Sequence, residues 1–165
     1  MLRRHGLDHR FIFVGDGPMR QELVARCPDG AFLGSVPHDQ VAVAMASADL
    51  FLFPSATDTL GNVVLEAQAS GLPVIVSAHG GPREYVRPGV TGEICGDDAH
   101  AWTLAVARLA ADPPRRLVMG RAAREFALTR SWSEALRPLY AAYREAAGVD
   151  ALAEAPPEAG PRRVA

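Results

Sequence analysis

Short apolar runs alternate with longer amphipathic segments along most of the chain. The runs have strand length and are rich in aromatic and β-branched residues, which predicts strands at 10–14, 31–33, 49–54 and 73–76, with a short fifth at 92–95. Helical spacing of apolar residues predicts helices from Pro18, over 37–48 and over 61–70. From 98 onward the pattern is helical, with breaks at 113–114 and 131.

This alternation predicts an α/β fold, with a Rossmann-like parallel sheet that carries helices on both faces. Ligands of such sheets bind beyond the carboxyl ends of the strands, so the loops 15–18, 34–37, 54–62 and 77–82 are the candidate binding segments. We expect one domain over 1–148. The segment 149–165 is rich in Ala, Pro, Glu and Arg, which predicts a disordered tail.

The bulk composition excludes several classes of function. Apolar residues make up 48% of the 165 residues and the net charge is −2, so the chain has no basic field for a nucleic acid partner. Cys27 and Cys95 lie far apart without His at ligand spacing, which argues against a disulfide framework and a metal site and favours a cytoplasmic protein. No apolar run reaches the roughly 18 residues of a membrane span.

The loop that follows the third predicted strand carries the candidate chemistry. It leaves a buried strand and enters a helix, whose first backbone amides and positive dipole end suit a phosphate. Gly61 allows close approach of the backbone to a ligand. Asp58 lies on the loop and Glu66 about a turn and a half into the helix, so both carboxylates can face one crevice and accept hydrogen bonds from sugar hydroxyls.

Each acid also has a plain structural interpretation. Asp58 can cap the start of the helix, since Asp is favoured there, and Glu66 can be a solvated helix residue. For either acid alone the structural interpretation is the stronger one. Their combination with Thr59-Leu60-Gly61 on a sheet-edge loop favours a binding site for a sugar nucleotide.

The segment 54–67, followed by 69–74 with the sequence Ala-Ser-Gly-Leu-Pro-Val, resembles the signature of the family 4 glycosyltransferases. Members of that family have the GT-B fold and carry an acid, seven intervening residues and a Glu, then a run of small residues into Gly-x-Pro-Val. Flanking segments resemble the family's other loops, namely 14–18, 32–34, 80–84 and 89–92. The resemblance covers roughly 11–143 and implies the carboxyl-terminal, donor-binding half of a GT-B enzyme.

The resemblance implies roles for single residues. Glu66 would bind the ribose hydroxyls, and Asp58 would contact the transferred sugar as the catalytic acid position. The donor sugar and diphosphate would meet the backbone amides of the segment that comprises Leu60, Gly61, Asn62 and Val63. The backbone around Ser35 and Val36 would face the base. The implied ligand is a UDP- or GDP-sugar, with no metal and no other cofactor.

The chain departs from the family pattern in two respects. The first family acid is usually Glu, whereas this chain has the shorter Asp58. Members also begin this domain with a strand that carries a Gly-Arg turn, followed by a Lys, and a whole acceptor-binding domain comes before it. These parts are not among the 165 residues, so we expect a missing amino-terminal acceptor domain as partner, and any peripheral membrane contact would be made through it.

The sequence therefore predicts the donor-binding domain of a retaining glycosyltransferase, which moves a hexose from a UDP- or GDP-sugar to an acceptor. A GT-B-fold sugar-nucleotide epimerase is an alternative enzyme. The alternative from another class is a non-catalytic or truncated module that binds a nucleotide. Hydrolase chemistry at His79 has no support, since the chain lacks the Gly-x-Ser-x-Gly nucleophile turn.

Overall fold

The computed structural model describes residues 2, 6–130 and 132–147. The predicted tail at 149–165 lies outside the described residues. The chain divides into two compact units, Met1–Ala127 and Leu128–Ala165. Of the helices in the described ranges, none is long and apolar enough to cross a bilayer.

Strands and helices alternate in the first unit as the sequence predicts. The strands are β1 (Ile12–Phe13), β2 (Ala31–Phe32), β3 (Phe51–Phe53), β4 (Val74–Ser77) and β5 (Gly92–Cys95). The helices are α1 (Arg20–Arg26), α2 (His38–Ala46), α3 (Asn62–Ala69), α4 (Ala99–Ala110), α5 (Pro113–Leu128) and α6 (Trp132–Ala147), with a short 3₁₀ helix at Pro82–Tyr85. The α/β fold class is confirmed.

All strand pairs are parallel, but the strands form two sheets where the sequence predicts one. The first sheet pairs β1 with β2, so that Ile12 is opposite Ala31. The second has the order β3-β4-β5, with Leu52 opposite Ile75 and Ile75 opposite Glu93. The apolar runs do not reveal this division, whereas the Rossmann-like arrangement of parallel strands with helices on both faces is confirmed.

The second sheet holds the core and is covered on both faces. Strand β4 is its centre, and all four of its residues are buried. Val74 and Val76 pack with Met45 of α2 and with Val64 of α3 on one face. On the other face, Ile75 packs with residues of α4 and α5, among them Ala105, Leu109 and Met119. The four consecutive apolar residues of the third predicted strand, 49–54, indicate such a central, two-sided burial for β3. That prediction is wrong, because β3 lies at the end of this sheet and is only half-buried, whereas β4 takes the centre.

The first sheet is held by aromatic contacts and has a thin interior. The rings of Phe13 and Phe32 stack with their centroids 4.5 Å apart and their planes 6° from parallel. Phe11 lies against Phe13 at 5.9 Å between centroids. No described residue before Met45 is buried, so the first two strands and α1 contribute nothing to the fully buried core.

Helix α6 belongs to the second unit and carries a largely exposed apolar stripe. Leu139, Tyr140 and Tyr143 are exposed, the last of them to 64% of its surface. Pro138 lies inside this helix.

Candidate functional site

The loop 54–62 begins at the carboxyl end of β3 and ends at Gly61, the residue that caps α3. Gly61 has φ 62° and ψ 42°, a left-handed conformation that favours glycine. A Cβ on Gly61 would also lie 2.5 Å from Cγ of Pro82, which is far inside contact distance. Backbone geometry and the neighbouring loop therefore both require glycine at this position.

The side chain of Asp58 organises the same loop. Its Oδ1 accepts hydrogen bonds from the amides of Leu60, at 2.9 Å, and Gly61, at 2.6 Å. Oδ2 has no partner among the described residues. Asp58 thus stabilises the turn before the helix through one oxygen and leaves the other available.

These hydrogen bonds limit which of the amides predicted to bind the phosphate are free to do so. The amides of Leu60 and Gly61 already donate to Asp58, so in this conformation they do not point freely into a ligand site. The amides of Asn62 and Val63 have no hydrogen-bond partner in the described part of the chain. The available donors at the start of α3 are therefore these two, at the positive end of the helix dipole.

The loop after β4 packs directly against the Asp58 loop. The amide of Gly81 donates to the carbonyl of Asp58 at 3.0 Å, and a Cβ on Gly80 would lie 2.7 Å from that oxygen. Gln68 of α3 is fully buried and donates through Nε2 to the carbonyl of Tyr85 at 2.9 Å. The glycines and Gln68 therefore fix the second loop against the first at the carboxyl edge of the sheet.

Glu66 lines a cavity of about 190 Å³ between α2 and α3. The other lining residues are His38, Val41, Ala42, Met45, Ala69 and Ser70. The carboxylate of Glu66 is half-buried and has no hydrogen-bond or ion-pair partner within the described residues. Asp58 is not among the residues that line this cavity, so the two acids mark neighbouring but different parts of the surface.

Val36, the predicted contact for the base, precedes the helix that forms one wall of this cavity. It is half-buried in the connection from β2 to α2, two residues before His38. Val36 is not among the residues that line the cavity, whereas His38 of α2 is, so the contact of Val36 with the base stays a prediction.

The structure also places residues near the site that the sequence alone does not identify. His79 and Asp97 follow β4 and β5, and His79 Nε2 lies 3.2 Å from Asp97 Oδ1. The guanidinium of Arg83 donates to the carbonyl of Ala78 at 2.9 Å. The first pair joins loops 18 residues apart, so spacing along the chain does not predict it, and the second lies within the single loop that follows β4. Gln68 lies two residues from Glu66, but only its burial shows that it faces inward.

The cysteines and the acids form no reactive cluster. Burial raises the pKa of the Cys95 thiol, the Glu93 carboxylate raises it further, and Arg108 opposes the shift. Cys95 is therefore a protonated packing residue of the core. Within the described ranges, no group of three His, Cys, Asp or Glu could hold a metal ion.

Comparison with known sequences places the chain among enzymes of one family. It is 37% identical over 155 residues to D-inositol 3-phosphate glycosyltransferase of Mycobacterium tuberculosis and to that of Mycobacterium bovis. The match covers 83% of this chain and 32% of each relative, so the chain spans about a third of the length of these curated relatives.

Solved structures show the same fold. Sucrose-phosphate synthase from Thermosynechococcus elongatus matches with a TM-score of 0.73 and 30% identity, over 83% of this chain and 38% of that one. HepE of Anabaena, in complex with UDP-glucose, matches with a TM-score of 0.69 and 24% identity, over 82% of this chain and 40% of that one. Residues 1–112 match the profile of the family described as glycosyl transferases group 1. The chain belongs to this family of GT-B glycosyltransferases.

Proposed function

We propose that the chain is the donor-binding domain of a retaining glycosyltransferase, which moves a hexose from a UDP- or GDP-sugar to an acceptor. One observation carries the proposal more than any other. The left-handed, side-chain-free cap at Gly61 presents the amides of Asn62 and Val63, which have no partner among the described residues, at the carboxyl edge of the sheet. Such a helix start is a site for a phosphate group.

Glu66 is proposed as the ribose contact. Its carboxylate lies in a cavity with no partner of its own in the described chain, and the cavity has room for part of a nucleoside. A carboxylate accepts hydrogen bonds from two adjacent hydroxyls, as the acidic residue of dinucleotide sites does. The backbone around Val36 would then face the base.

Asp58 is proposed as the contact to the transferred sugar. Oδ1 holds the loop through Leu60 and Gly61, and Oδ2 is left for a sugar hydroxyl. One residue would thus shape the loop and bind the donor. The amides of Leu60 and Gly61 would reach the donor only if the Asp58 carboxylate released them.

The chemistry of transfer puts negative charge on the departing nucleoside diphosphate. Donors that are fixed before the reaction and aimed at that charge stabilise the transition state without reorganisation. In this chain those donors are the Asn62 and Val63 amides and the dipole of α3. The proposal requires no metal and no further cofactor. It places the acceptor site in an amino-terminal partner domain, which would also make any membrane contact, and it places the enzyme in the cytoplasm.

The experiment is a titration of the 165-residue chain with UDP and GDP, followed by amide NMR. We expect one diphosphate to shift the Asn62 and Val63 resonances saturably, while the matching nucleoside without phosphates leaves them in place. If neither diphosphate moves these resonances at about 10 mM, which is beyond ordinary weak binding, the placement of the diphosphate is wrong.

An assay of the whole protein with a UDP- or GDP-sugar distinguishes the transferase from the two alternative functions. A transferase yields a glycosylated acceptor from a UDP- or GDP-sugar. A GT-B-fold epimerase yields an altered sugar without an acceptor, and a non-catalytic module binds the nucleotide and yields neither product. The chain spans 32% of the length of these relatives, so the assay also has to test the non-catalytic alternative.

A further inference from the structure

Helix α5 closely approaches the turn that ends α3. A Cβ on Gly120 would lie 2.2 Å from the carbonyl oxygen of Gly71, so this approach requires glycine on α5. Arg124 lies one helical turn after Gly120, on the same face of α5. Its Nη1 donates a hydrogen bond to the carbonyl of Ala69, the last residue of α3. The contact between the two helices therefore brings a positive charge to the carboxyl end of α3.

This charge is the one basic group that bonds to the end of α3 in the described part of the chain. The other three carbonyls of the last turn accept from backbone amides, those of Ser70, Gly71 and Leu72. The last turn of α3 contains no basic residue of its own. No carboxylate of the described residues forms an ion pair with Arg124, so its charge faces the carbonyl of Ala69 without a counter-ion.

Helix α4 receives an arginine from α5 in the same way, but its amino end differs. Arg116 donates to the carbonyls of Leu109, at 2.8 Å, and Ala110, at 2.7 Å, at the carboxyl end of α4. At the other end the carboxylate of Asp98 caps the helix and accepts from the amide of His100 at 2.9 Å. Both poles of the α4 dipole are therefore compensated within the chain.

In α3 only the negative pole is compensated in this way. Its cap is Gly61, no side chain caps the helix, and no acidic residue lies in its first turn. The carboxylate of Asp58 bonds to the amides of Leu60 and Gly61, ahead of the helical residues. The positive pole of α3 is thus left for a ligand, and the ligands that it favours are anions.

We propose that Arg124 strengthens binding of the donor diphosphate at the opposite end of α3 by compensating the negative pole of the helix. A helix of eight residues is only about 12 Å long, so its uncompensated carbonyls would repel an anion held at its amino end. Arg124 acts through α3 and does not touch the donor, so it is a positioning residue. The inference rests on the proposed function, since it needs a diphosphate at the Asn62 and Val63 amides.

The test compares the 165-residue chain with Arg124→Met, which keeps the length of the side chain and removes its charge. Both proteins are titrated with UDP and GDP by amide NMR at an ionic strength of about 10 mM, where charges act over about 30 Å. We expect the Kd of the preferred nucleoside diphosphate to rise about three- to tenfold in the variant. Near 1 M salt, where the screening length is about 3 Å, the difference should fall below about twofold.

The matching nucleoside distinguishes an electrostatic role from a merely structural one. It carries no phosphate charge, so both proteins should bind it equally, whereas a distorted α3 would weaken nucleoside and diphosphate alike. An equal loss for both ligands would overturn the proposal. So would a difference in diphosphate binding that salt leaves unchanged.

Two further variants at the same position separate charge from hydrogen bonding. Arg124→Lys keeps the charge without the planar fork, so its Kd for the diphosphate should stay within about twofold of that of the unchanged chain. Arg124→Glu adds a negative charge to the negative pole and should raise the Kd beyond that of Arg124→Met. If Arg124→Lys bound the diphosphate as weakly as Arg124→Met, the charge would not be the cause.

Arg121→Met is the matched control on the same helix. Arg121 is exposed and has no bond to a helix end within the described residues, so its loss changes the net charge equally and should leave the Kd within about twofold. Equal weakening by Arg121→Met and Arg124→Met would reduce the effect to net charge and contradict the inference. If the unchanged chain binds neither diphosphate, the proposed diphosphate site fails and this inference fails with it. If it binds one at Asn62 and Val63 and Arg124→Met binds it as tightly, this inference alone is wrong.

Discussion

At the scale of single residues, Glu66 is the clearest candidate for a ligand contact. It is a half-buried acid on a cavity wall, without a partner of its own in the described chain. Replacement by Ala should weaken binding of the preferred nucleoside diphosphate by about 1.5–3 kcal/mol, the usual worth of a hydrogen bond to a charged group, which is roughly a 10- to 150-fold rise in Kd. Calorimetric or NMR titration of UDP and GDP measures this.

The control for Glu66 is Glu125→Ala on α5. Glu125 is exposed and lies outside the cavity, so its loss removes the same charge without removing a ligand contact. Its Kd should match that of the unchanged chain. The ribose assignment fails if Glu66→Ala and Glu125→Ala bind the nucleotide equally well.

Two features favour glycine at position 61, a left-handed backbone and the close approach of Pro82. Gly89 has only the first of these, so a variant at Gly89 separates the two effects. Gly61→Ala places a side chain in a left-handed conformation and against Pro82, whereas Gly89→Ala meets open space at a similar φ of 74°. Both variants should lose about 1 kcal/mol of stability from backbone strain. Only Gly61→Ala should lose more than that and also lose nucleotide binding, as chemical denaturation and titration will show. Equal stability and equal binding of the two variants would remove the steric argument.

Asp58 shows what the sequence does and does not predict about a site residue. Its sequence context allows both a structural role at the helix start and a contact to a ligand. The predicted cap is wrong in detail, because Gly61 is the N-cap of α3 and no side chain caps that helix. Asp58 Oδ1 instead accepts hydrogen bonds from the amides of Leu60 and Gly61 in the turn before the helix, while the ligand contact stays a prediction. The spacing of residues cannot show which amides a flexible loop leaves free, because this depends on the rotamer of one carboxylate.

At the scale of elements, Gln68 connects α3 to the 3₁₀ helix that follows the second loop. Its Nε2 donates to the carbonyl of Tyr85, while its Oε1 is buried without a partner among the described residues. Gln68→Met removes the bonded amide and the unpaired oxygen together, so the two effects offset and the cost should stay near 1 kcal/mol. Gln68→Glu puts a carboxylate beside a carbonyl in the core and should cost roughly 2–3 kcal/mol more.

Urea unfolding at several pH values distinguishes these variants. Burial disfavours the charged form of a carboxyl, so the new Glu should be protonated more readily in the folded state than in the unfolded one. The stability of Gln68→Glu should therefore increase as the pH falls, while that of Gln68→Met follows the unchanged chain. A pH-independent difference between the two would mean that position 68 is solvated.

The regular elements are predictable from sequence because apolar periodicity and turn residues determine them locally. Strands β3 and β4 and helix α3 lie within a few residues of their predicted bounds. The 3₁₀ helix Pro82–Tyr85 is not predicted, since Gly-Gly-Pro also fits an open turn. The division into two sheets is not predicted either, because apolar runs identify strands but do not show which edges find a partner.

At the scale of the whole molecule, the proposed function assigns to this chain one wall of a cleft. In the proposed function, helix α3, the Asp58 loop and the loop after β4 form the donor side, and the loop after β4 adds His79 and Arg83 to their amides and carboxylates. The 17 basic residues of the chain are all Arg, so no lysine from this chain can neutralise a diphosphate. Arg83, the arginine on the loop after β4, donates instead to the carbonyl of Ala78. In the proposed function, charge compensation for the leaving group would therefore depend largely on the dipole of α3 and on what the opposite wall supplies.

The last prediction concerns activity, and follows from this one-sided site. Transfer requires an acceptor hydroxyl held against the donor carbon, and such positioning supplies a large part of the rate of an enzyme. We expect the 165 residues alone to bind a nucleotide and to transfer no sugar above background. Incubation with labelled UDP- and GDP-sugars and a panel of acceptors, with and without the amino-terminal part of a relative, measures this. Transfer by the chain alone would require an acceptor site and a diphosphate clamp within these residues, and would contradict the assignment of both to a partner domain.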